Sequence, residues 1–333
     1  MSKKNPRVTL QDIADAVGVT KMTVSRYLRE PATVATNTRT RIADAIEELG
    51  YIKNRAPSML ARASSKTIGV VVSSLSNQVF SAVVQGIESV TRAHGFDTLL
   101  MHTGYDSATE EEKVAALLSY QIDALILTET EHTPLTRQML RQADIPVVEC
   151  MELPSQPLDM AVGLDHDAAA FAAVNQLIEA GCQDIAYFAA RMDTRTQHRK
   201  NGYQRALQQA GLSEKIMQTT MSSSFSLGRE LLNDALAQFE TIDGIFCTND
   251  DIAAGALLCA QEYGLRIPED IRIIGYNQLD IGQALTPALA SVVTPRFLMG
   301  QTSASLLLAR LRNEVVEQPI VDVGFSIDAG GSL

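Results

Sequence analysis

The sequence predicts a small helical head followed by a two-lobed α/β body. The first 66 residues carry a net charge of +6 and the remaining 267 carry −17, so only the head favours a polyanionic partner. From residue 68 onward, apolar strand-like runs alternate with helical stretches, and the alternation restarts after "PSQPLD". We therefore expect a head over 1–50, a linker over 51–67 and a body over 68–333, with a break between two lobes near 154–160.

Composition excludes several classes of protein. Apolar residues make up 46% of the 333 residues and charged residues only 20%, which favours folded domains over disorder. The longest apolar stretch, 252–260, is too short to span a bilayer, and no secretory signal follows "MSKKNPR". Cys150, Cys182, Cys247 and Cys259 are widely spaced in apolar segments, as is typical of reduced core thiols. We expect a cytoplasmic protein with no metal or other cofactor.

Three short helices are predicted in the head. Thr9 and Asp12 have the spacing of a capping box, and Gly18 ends the helix that follows. Thr20 caps a second helix, and a third is expected over 37–49. The tight helix-turn-helix pattern of a small residue, a glycine turn and a branched residue is formed by Ala14, Gly18 and Val24.

The outer side of the second helix carries long and hydrogen-bonding side chains. Lys21, Met22 and Arg26 lie in its N-terminal part, from which a recognition helix reaches base edges in the major groove. Arg26 can bind guanine through two hydrogen bonds, and Met22 can contact a thymine methyl group. Hydroxyl groups suit phosphate oxygens, and the predicted DNA-binding set is completed by Thr9, Thr20, Thr23 and Ser25. A solvated helix in a small bundle is the alternative interpretation of this spacing.

The linker sequence, taken together with the helix-turn-helix pattern of the head, resembles a particular protein family. "TLQDIADAVGVTKMTVSRYL" followed by "LGYIKNRAPSMLA" resembles the N-terminal signature of the LacI/GalR family of bacterial transcriptional regulators. The resemblance implies a hinge helix that folds on the operator and inserts Leu60 into the minor groove as an apolar wedge. Asn54 would cap this helix, and Arg55 would lie in its basic first turn.

The resemblance also implies an assembly. A palindromic double-stranded operator requires at least a homodimer. Tetramers of the family carry a leucine-repeat tail after the body, and no such tail follows "FSIDAGGSL". We therefore expect a homodimer.

The alternating pattern of the body predicts two parallel, doubly wound sheets. The predicted strands are 68–74, 97–102, 124–129, 147–151, 161–165, 184–190, 244–250 and 271–277. The chain is expected to cross between the lobes again near 290–296 and 319–322. Ligands bind such folds beyond the carboxyl ends of the strands, so we expect a small-molecule cleft between the lobes.

Polar side chains gather at those strand ends, where hydroxyls, amides and an arginine could hold sugar hydroxyls beside an apolar face from Phe80 or Tyr276. "R..G(Y/F)", "NDD.A.GA", "IIGYN" and "LASV.TP" resemble landmarks of the family's effector domain. The predicted effector contacts are Ser73, Asn77, Phe80, Thr128, Arg199, Asn249, Asn277 and Thr294. Asn249 also has the character of a helix N-cap, and the sequence leaves open whether Glu129 and Glu149 face the cleft.

One departure from the family pattern bears on the effector. The family usually has Asp at the position of Asn277, and a neutral amide suits a ligand that brings its own negative charge. "GVTKMTVSRY", "LSYQIDALILTE" and "FCTNDDIA" resemble the gluconate and idonate repressor branch. Because Arg199 can bind a carboxylate, the expected effector is a sugar acid such as gluconate or idonate, acting as an inducer. A neutral sugar, a sugar phosphate or a purine co-repressor is the alternative.

Two other classes of protein fit the sequence less well. It contains no GxGxxG after a strand, no GxxxxGK[ST], no GxSxG and no HExxH, so we do not expect an enzyme. A periplasmic sugar-binding protein would share the periplasmic-binding-protein-like body but would carry a signal peptide and no helix-turn-helix head. The prediction is a DNA-binding transcriptional repressor whose operator affinity is controlled by a small molecule.

Overall fold

The structure is a computed structural model that describes residues 7–53 and 64–333. It divides into two compact units, Met1–Ser65 and Lys66–Leu333. These units correspond to the predicted head and body. Most of the predicted linker, 51–67, lies outside the described residues.

Within residues 7–53 the head contains three α-helices. They are α1 Leu10–Val17, α2 Lys21–Arg29 and α3 Thr36–Leu49, with a 3₁₀ turn at Pro31–Thr33. The predicted capping box is confirmed, because the Thr9 hydroxyl accepts from the Asp12 amide and the Asp12 carboxylate accepts from the Thr9 amide at 2.7 Å. Gly18 ends α1 at φ 70°, a left-handed conformation that glycine adopts at least cost. The small core buries Ile13, Ala14, Val17, Val24, Ile42 and Ala45.

The described part of the body contains two six-stranded sheets. The first comprises β1 Thr67–Val72, β2 Asp97–His102, β3 Ala124–Leu127, β4 Val147–Met151, β5 Met160–Gly163 and β11 Ile320–Asp322. The second comprises β6 Ile185–Ala189, β7 Lys215–Gln218, β8 Gly244–Cys247, β9 Arg272–Tyr276, β10 Ala290–Val293 and β12 Ser326–Asp328. The strand orders are β11-β5-β4-β3-β1-β2 and β12-β10-β9-β8-β6-β7. In both sheets the pairing is parallel except between β10 and β12.

Helices cover these sheets, and each sheet with its helices forms one lobe. The first lobe contains α4 Val79–Thr91, α5 Ser107–Ser119, α6 Pro134–Ala143 and α12 Arg296–Leu311, with a 3₁₀ turn at Arg92–His94. The second lobe contains α7 His166–Glu179, α8 Thr194–Ala210, α9 Phe225–Gln238, α10 Asp250–Glu262 and α11 Asp280–Ala284. The two lobes have the doubly wound architecture that the sequence predicts.

The chain passes from the first lobe to the second later than predicted. The predicted break at 154–160 is wrong, because β5 pairs in parallel with β4 and places Met160 opposite Val148. "PSQPLD" is therefore a connection inside the first lobe, and the passage follows β5. The later passages lie between β10 and α12 and between β11 and β12. The first of these is at 294–295, and the second is just beyond the predicted 319–322.

All eight predicted strands are present, but most are shorter at their carboxyl ends. Thr128 and Glu129 follow β3, and Thr248 and Asn249 follow β8, so these polar residues lie in the loops above the sheets. The pattern did not predict β7, β10, β11 and β12, which have three or four residues each. The shortened strands place the polar residues where ligands bind in parallel sheets.

Further features of the described residues concern membrane-spanning helices, metal clusters and the cysteines. Among these residues, no helix combines the length and apolar character that crossing a bilayer requires. Within 7–53 and 64–333, no group of three or more His, Cys, Asp or Glu side chains is arranged so that it could hold a metal ion. All four cysteines are buried.

Candidate DNA-reading surface and effector cavity

In the head, one side of α2 is exposed and rich in cations. Met22 is 72% exposed, and Lys21, Ser25 and Arg26 are exposed beside it. Neither Lys21 nor Arg26 forms an ion pair with any residue that the structure describes. These side chains are therefore available to a base edge or a phosphate.

The predicted hydroxyl contacts differ in availability. Thr20 caps α2 by accepting from the Thr23 amide at 3.2 Å, and the two hydroxyls are 2.9 Å apart. One of these hydroxyls therefore keeps a proton to donate. Thr9 donates its hydroxyl to Asp12 at 2.8 Å and its amide to the same carboxylate, so a phosphate contact requires this capping box to open.

The linker was predicted to supply three further DNA contacts. Asn54, Arg55 and Leu60 lie outside the described residues.

In the body, a cavity lies between the lobes at the carboxyl ends of the strands, partly open to solvent. The first lobe contributes Asn77, Val79, Phe80, Tyr105 and Met151 to its wall. The second lobe contributes Ala190, Arg191, Asp193, Arg195, Thr196, Arg199, Ser223, Thr248, Asn249 and Asn277. Five predicted effector contacts are therefore brought together: Asn77, Phe80, Arg199, Asn249 and Asn277.

The other three predicted contacts lie behind this wall. The hydroxyls of Ser73 and Thr128 are bonded to each other at 3.0 Å, and both residues are buried. Thr294 donates its hydroxyl to the Asn277 side-chain oxygen at 3.1 Å. Ser73, Thr128 and Thr294 do not line the cavity. Through these hydrogen bonds they hold side chains that lie in its wall or next to it.

Arg199 is a cation of the wall that is only partly satisfied by its neighbours. Its Nη1 donates to the Thr248 carbonyl at 2.7 Å, and its guanidinium lies 3.9 Å from the centre of the Tyr276 ring. Its Nε is buried and has no hydrogen-bond partner among the described residues. A buried donor without a partner is costly. The same is found at Nε of Arg272 and Arg296, but of the three only Arg199 lines the cavity, where a ligand carboxylate could supply the missing acceptor.

Tyr276 does not supply the predicted apolar face, because it is fully buried beneath Arg199. Its hydroxyl is 2.8 Å from His166 Nδ1, and His166 Nε2 lies 3.0 Å from the Met151 carbonyl. Burial and the nearby arginines hold the pKa of His166 well below its usual value, so His166 is neutral. The apolar wall comes instead from Phe80 and Tyr105, whose ring centres are 6.4 Å apart.

Two amides form a fixed pair at the second-lobe wall. Asn277 donates from Nδ2 to the Asn249 side-chain oxygen at 2.7 Å. Asn249 donates in turn to Asp251 at 2.7 Å. Asn249 occupies the predicted N-cap position of α10 but makes no capping bond with its side chain, because its oxygen already accepts from Asn277. Asn277 has φ 97°, a strained value for a residue with a side chain.

The two glutamates that the sequence left open differ in position. Glu149 lies on β4, where its carboxylate accepts from the Leu158 amide and lies 3.3 Å from His132. It does not line the cavity. Glu129 accepts from the Ser73 hydroxyl and from Arg195 at 2.8 Å. Of these three residues, Arg195 lines the cavity, and Glu129 and Ser73 do not.

Sequence reasoning missed Arg191, Asp193 and Arg195, all of which line the cavity. A signal existed for Arg195, because residues four apart share one face of a helix and Arg199 was already a predicted contact. The loop geometry of Arg191, at φ 63°, has no equivalent signal in the sequence.

The comparisons with known proteins agree with this architecture. Residues 9–54 match the family model described as bacterial regulatory proteins of the lacI family. Residues 65–325 match the model described as periplasmic binding proteins and sugar binding domain of the LacI family. The chain therefore belongs to the LacI family of DNA-binding transcriptional regulators.

Individual relatives show which members of the family this chain is similar to. The HTH-type transcriptional regulator GntR of Escherichia coli (strain K12) is 50% identical over 333 residues, which cover 100% of both chains. The HTH-type transcriptional regulator IdnR of the same strain is 46% identical over 331 residues, which cover 99% of this chain and 100% of IdnR. A crystal structure of the lac repressor dimer bound to operator and the anti-inducer ONPF is 25% identical, with a TM-score of 0.85 over 98% of this chain and 100% of that chain. The relatives are transcriptional regulators, as predicted.

Proposed function

We propose that this regulator represses transcription from a palindromic operator and that a sugar acid such as gluconate or idonate releases it. The carrying observation is Arg199, whose buried Nε donor has no partner among the described residues and whose side chain lines the cavity. A carboxylate can accept from two N–H groups of one guanidinium at the same time. Nη2 of Arg199 lies 3.4 Å from His166 Nδ1, so Nε is the donor that is left for the ligand. A neutral sugar would meet the same donor with a weaker acceptor.

The charge of the wall supports an anionic ligand. Among the described residues, three arginines line the cavity, Arg191, Arg195 and Arg199, against one wall carboxylate, Asp193. Arg195 is also paired with Glu129 behind the wall, so these five groups leave an excess of one positive charge. Asn277 adds no charge at the position where the family usually has Asp. An excess of fixed positive charge in a partly closed site favours a ligand that carries a negative charge.

The remaining wall suits the hydroxylated chain of a sugar acid. Asn77, Ser223 and Asn249 present amide and hydroxyl groups, which donate to and accept from vicinal hydroxyls. Phe80 and Tyr105 offer ring surface to the carbon chain. The predicted contacts Asn77, Phe80, Arg199, Asn249 and Asn277 are proposed to touch the effector, and Ser73, Thr128 and Thr294 to support it from behind.

The head supports the operator part of the proposal. Lys21, Met22 and Arg26 on α2 would contact base edges, with phosphate contacts from Thr20, Thr23 and Ser25. We place Asn54, Arg55 and Leu60 in the hinge segment as further DNA contacts, on the resemblance alone. A two-fold operator calls for a homodimer, the state named for the lac repressor structure. We further place the protein in the cytoplasm, without enzymatic activity.

The test is titration calorimetry with gluconate, idonate, glucose and gluconate 6-phosphate. We expect gluconate or idonate to bind, and glucose to bind at least about tenfold more weakly because it lacks the charged acceptor. Arg199→Ala should abolish the difference between acid and sugar. The matched control is Arg205→Ala, since Arg205 lies on the same helix but pairs with Asp167 at the surface.

Each contrary result has its own meaning. Equal affinity for glucose and gluconate, or no loss in Arg199→Ala, would contradict the carboxylate assignment. Preferred binding of gluconate 6-phosphate would replace the sugar acid with a sugar phosphate.

A further inference from the structure

Arg195 connects the two lobes at the edge of the effector cavity. It belongs to α8 of the second lobe, and its Nη1 donates to the carbonyl of Thr128, just after β3 of the first lobe, at 2.6 Å. Its Nη2 donates to Glu129 Oε1 at 2.8 Å. The guanidinium also lies 6.0 Å from the centre of the Phe80 ring. Arg195 thus bonds to the first lobe through both ends of its planar guanidinium.

The ion pair between Arg195 and Glu129 is largely buried. The Arg195 side chain is 6% exposed and the Glu129 side chain 20% exposed. Burial raises the pKa of Glu129, whereas Arg195 and the Ser73 hydroxyl act to lower it. A buried pair of this kind is costly to break on one side, because the remaining charge has no compensating partner.

The order of the groups places Arg195 between Glu129 and the ligand. Arg195 lines the cavity, and Glu129 does not. Arg199, the group that receives the carboxylate in the proposed function, lies one helical turn further along the same face of α8. Arg195 also lies 3.9 Å from the wall carboxylate Asp193, but Glu129 at 2.8 Å is its nearer partner. Without Arg195, Glu129 would, whenever it is ionised, act on the ligand carboxylate as a like charge in a poorly solvated site.

We infer that Arg195 is a positioning residue of the effector site that neutralises Glu129 and so allows an acid to occupy the cavity. This inference rests on the proposed sugar-acid function. It assigns Arg195 a role that Arg199 cannot fill, because Arg199 is bonded to Thr248 and stacked on Tyr276. Because Thr128 and Glu129 belong to the first lobe, the neutralisation operates only while the lobes are together.

The test compares the full chain with Arg195→Gln, Glu129→Gln and the double variant, each titrated with gluconate by calorimetry. We expect Arg195→Gln to weaken gluconate binding by at least about tenfold, as the loss of one partner of a buried pair does. Glu129→Gln removes the repelling charge, so it should bind gluconate at least as well as the unaltered chain. The double variant should recover to within about threefold of the unaltered chain, since about 0.65 kcal/mol corresponds to a threefold change.

Recovery in the double variant separates charge neutralisation from a merely structural role. If Arg195 only stabilised the fold or touched the ligand directly, the double variant would bind as weakly as Arg195→Gln, and the inference would be wrong. Unchanged binding in Arg195→Gln would overturn it too. Arg205→Gln controls for removal of an α8 arginine, and thermal unfolding of each variant reports whether it is folded.

The outcome also separates this inference from the proposed function. If the unaltered chain fails to bind gluconate, or if Arg199→Ala binds it normally, the proposed function fails and the role of Arg195 fails with it. If the unaltered chain binds gluconate through Arg199 and the double variant does not recover, only the role of Arg195 is contradicted.

Discussion

The cations of the head and those of the body are arranged in opposite ways. On α2, Lys21 and Arg26 are exposed and make no ion pair with a described residue. In the body, Arg195 and His132 are buried against carboxylates. Exposed cations are screened by salt and gain partners only from a polyanion. Buried cations act as fixed donors, which lose little freedom when a ligand arrives.

The largest expected effect is the response of operator binding to salt. If the head binds through six to ten phosphate contacts, operator affinity should fall by roughly 10³–10⁵-fold between about 50 and 200 mM salt. Gluconate binding in the body should change far less over the same range, because its cations are buried. Fluorescence anisotropy with operator DNA and calorimetry with gluconate measure the two. Similar salt dependence for both ligands would remove the contrast between head and body.

The next effect concerns His132, which is buried in the first lobe between Glu110 at 2.6 Å and Glu149 at 3.3 Å. Burial lowers the pKa of His132, but the hydrogen bonds and charges of the two glutamates outweigh it and raise the pKa from 6.5 to about 9. The charged His132 therefore stabilises the folded body fully below pH 6.5, and this stabilisation is lost as the pH rises through about 9.

His132→Gln should therefore destabilise the body most at low pH. We expect a loss of up to about 3 kcal/mol at about pH 6, since one pKa unit is worth about 1.4 kcal/mol. The loss should shrink by about pH 10. Chemical denaturation at both pH values measures it, with His94→Gln at an exposed histidine as control. A loss that is the same at both pH values would mean that His132 contributes by packing alone.

A smaller effect is expected from Asn277→Asp, which restores the carboxylate that the family usually has. The new charge would lie beside the Asn249 oxygen and in the wall that receives the acid. Gluconate affinity should fall by roughly tenfold or more, because like charges in such a site cost at least about 1.4 kcal/mol.

Asn313→Asp is the matched control for this substitution, since Asn313 also has a positive φ, 58°, and is exposed. Calorimetry with gluconate and glucose compares the two variants. Undiminished gluconate binding in Asn277→Asp would place the carboxylate elsewhere in the cavity.

An effect of similar size is expected from a single side chain of the head. Arg26→Ala should weaken specific operator binding by roughly 1–3 kcal/mol and relax the preference at one base pair. The control is Arg29→Ala at the last residue of α2. Arg29 is already paired with Glu30, so this substitution should change operator binding less. Competition assays with single-base operator variants measure the preference. Equal weakening for every DNA sequence would make Arg26 a phosphate contact.

The sequence predicted the parts of the molecule that depend on local pattern. The caps at Thr9 and Thr20, the glycine stop at Gly18 and the buried parallel strands follow from residue spacing, which fixes local hydrogen bonds and the side that is buried. Short edge strands such as β11 and β12 were missed, because three residues carry too little pattern.

The cavity was predicted less completely, for a different reason. The sequence indicates which polar residues follow a strand, but long-range hydrogen bonds decide which of them face the ligand. Ser73 and Thr128 bind each other, and Tyr276 lies beneath Arg199. The pairing of Arg195 with Glu129 joins residues 66 positions apart, so no local spacing could predict it.

The central claim is that an acid bound at Arg199 releases the operator. It is tested most directly by adding gluconate to the preformed operator complex and following anisotropy at constant salt. The account predicts that gluconate dissociates the complex of the unaltered chain, that glucose does so only at concentrations at least about tenfold higher, and that Arg199→Ala remains bound in gluconate. Release by glucose at the same concentration, or release of the Arg199→Ala complex by gluconate, would contradict it.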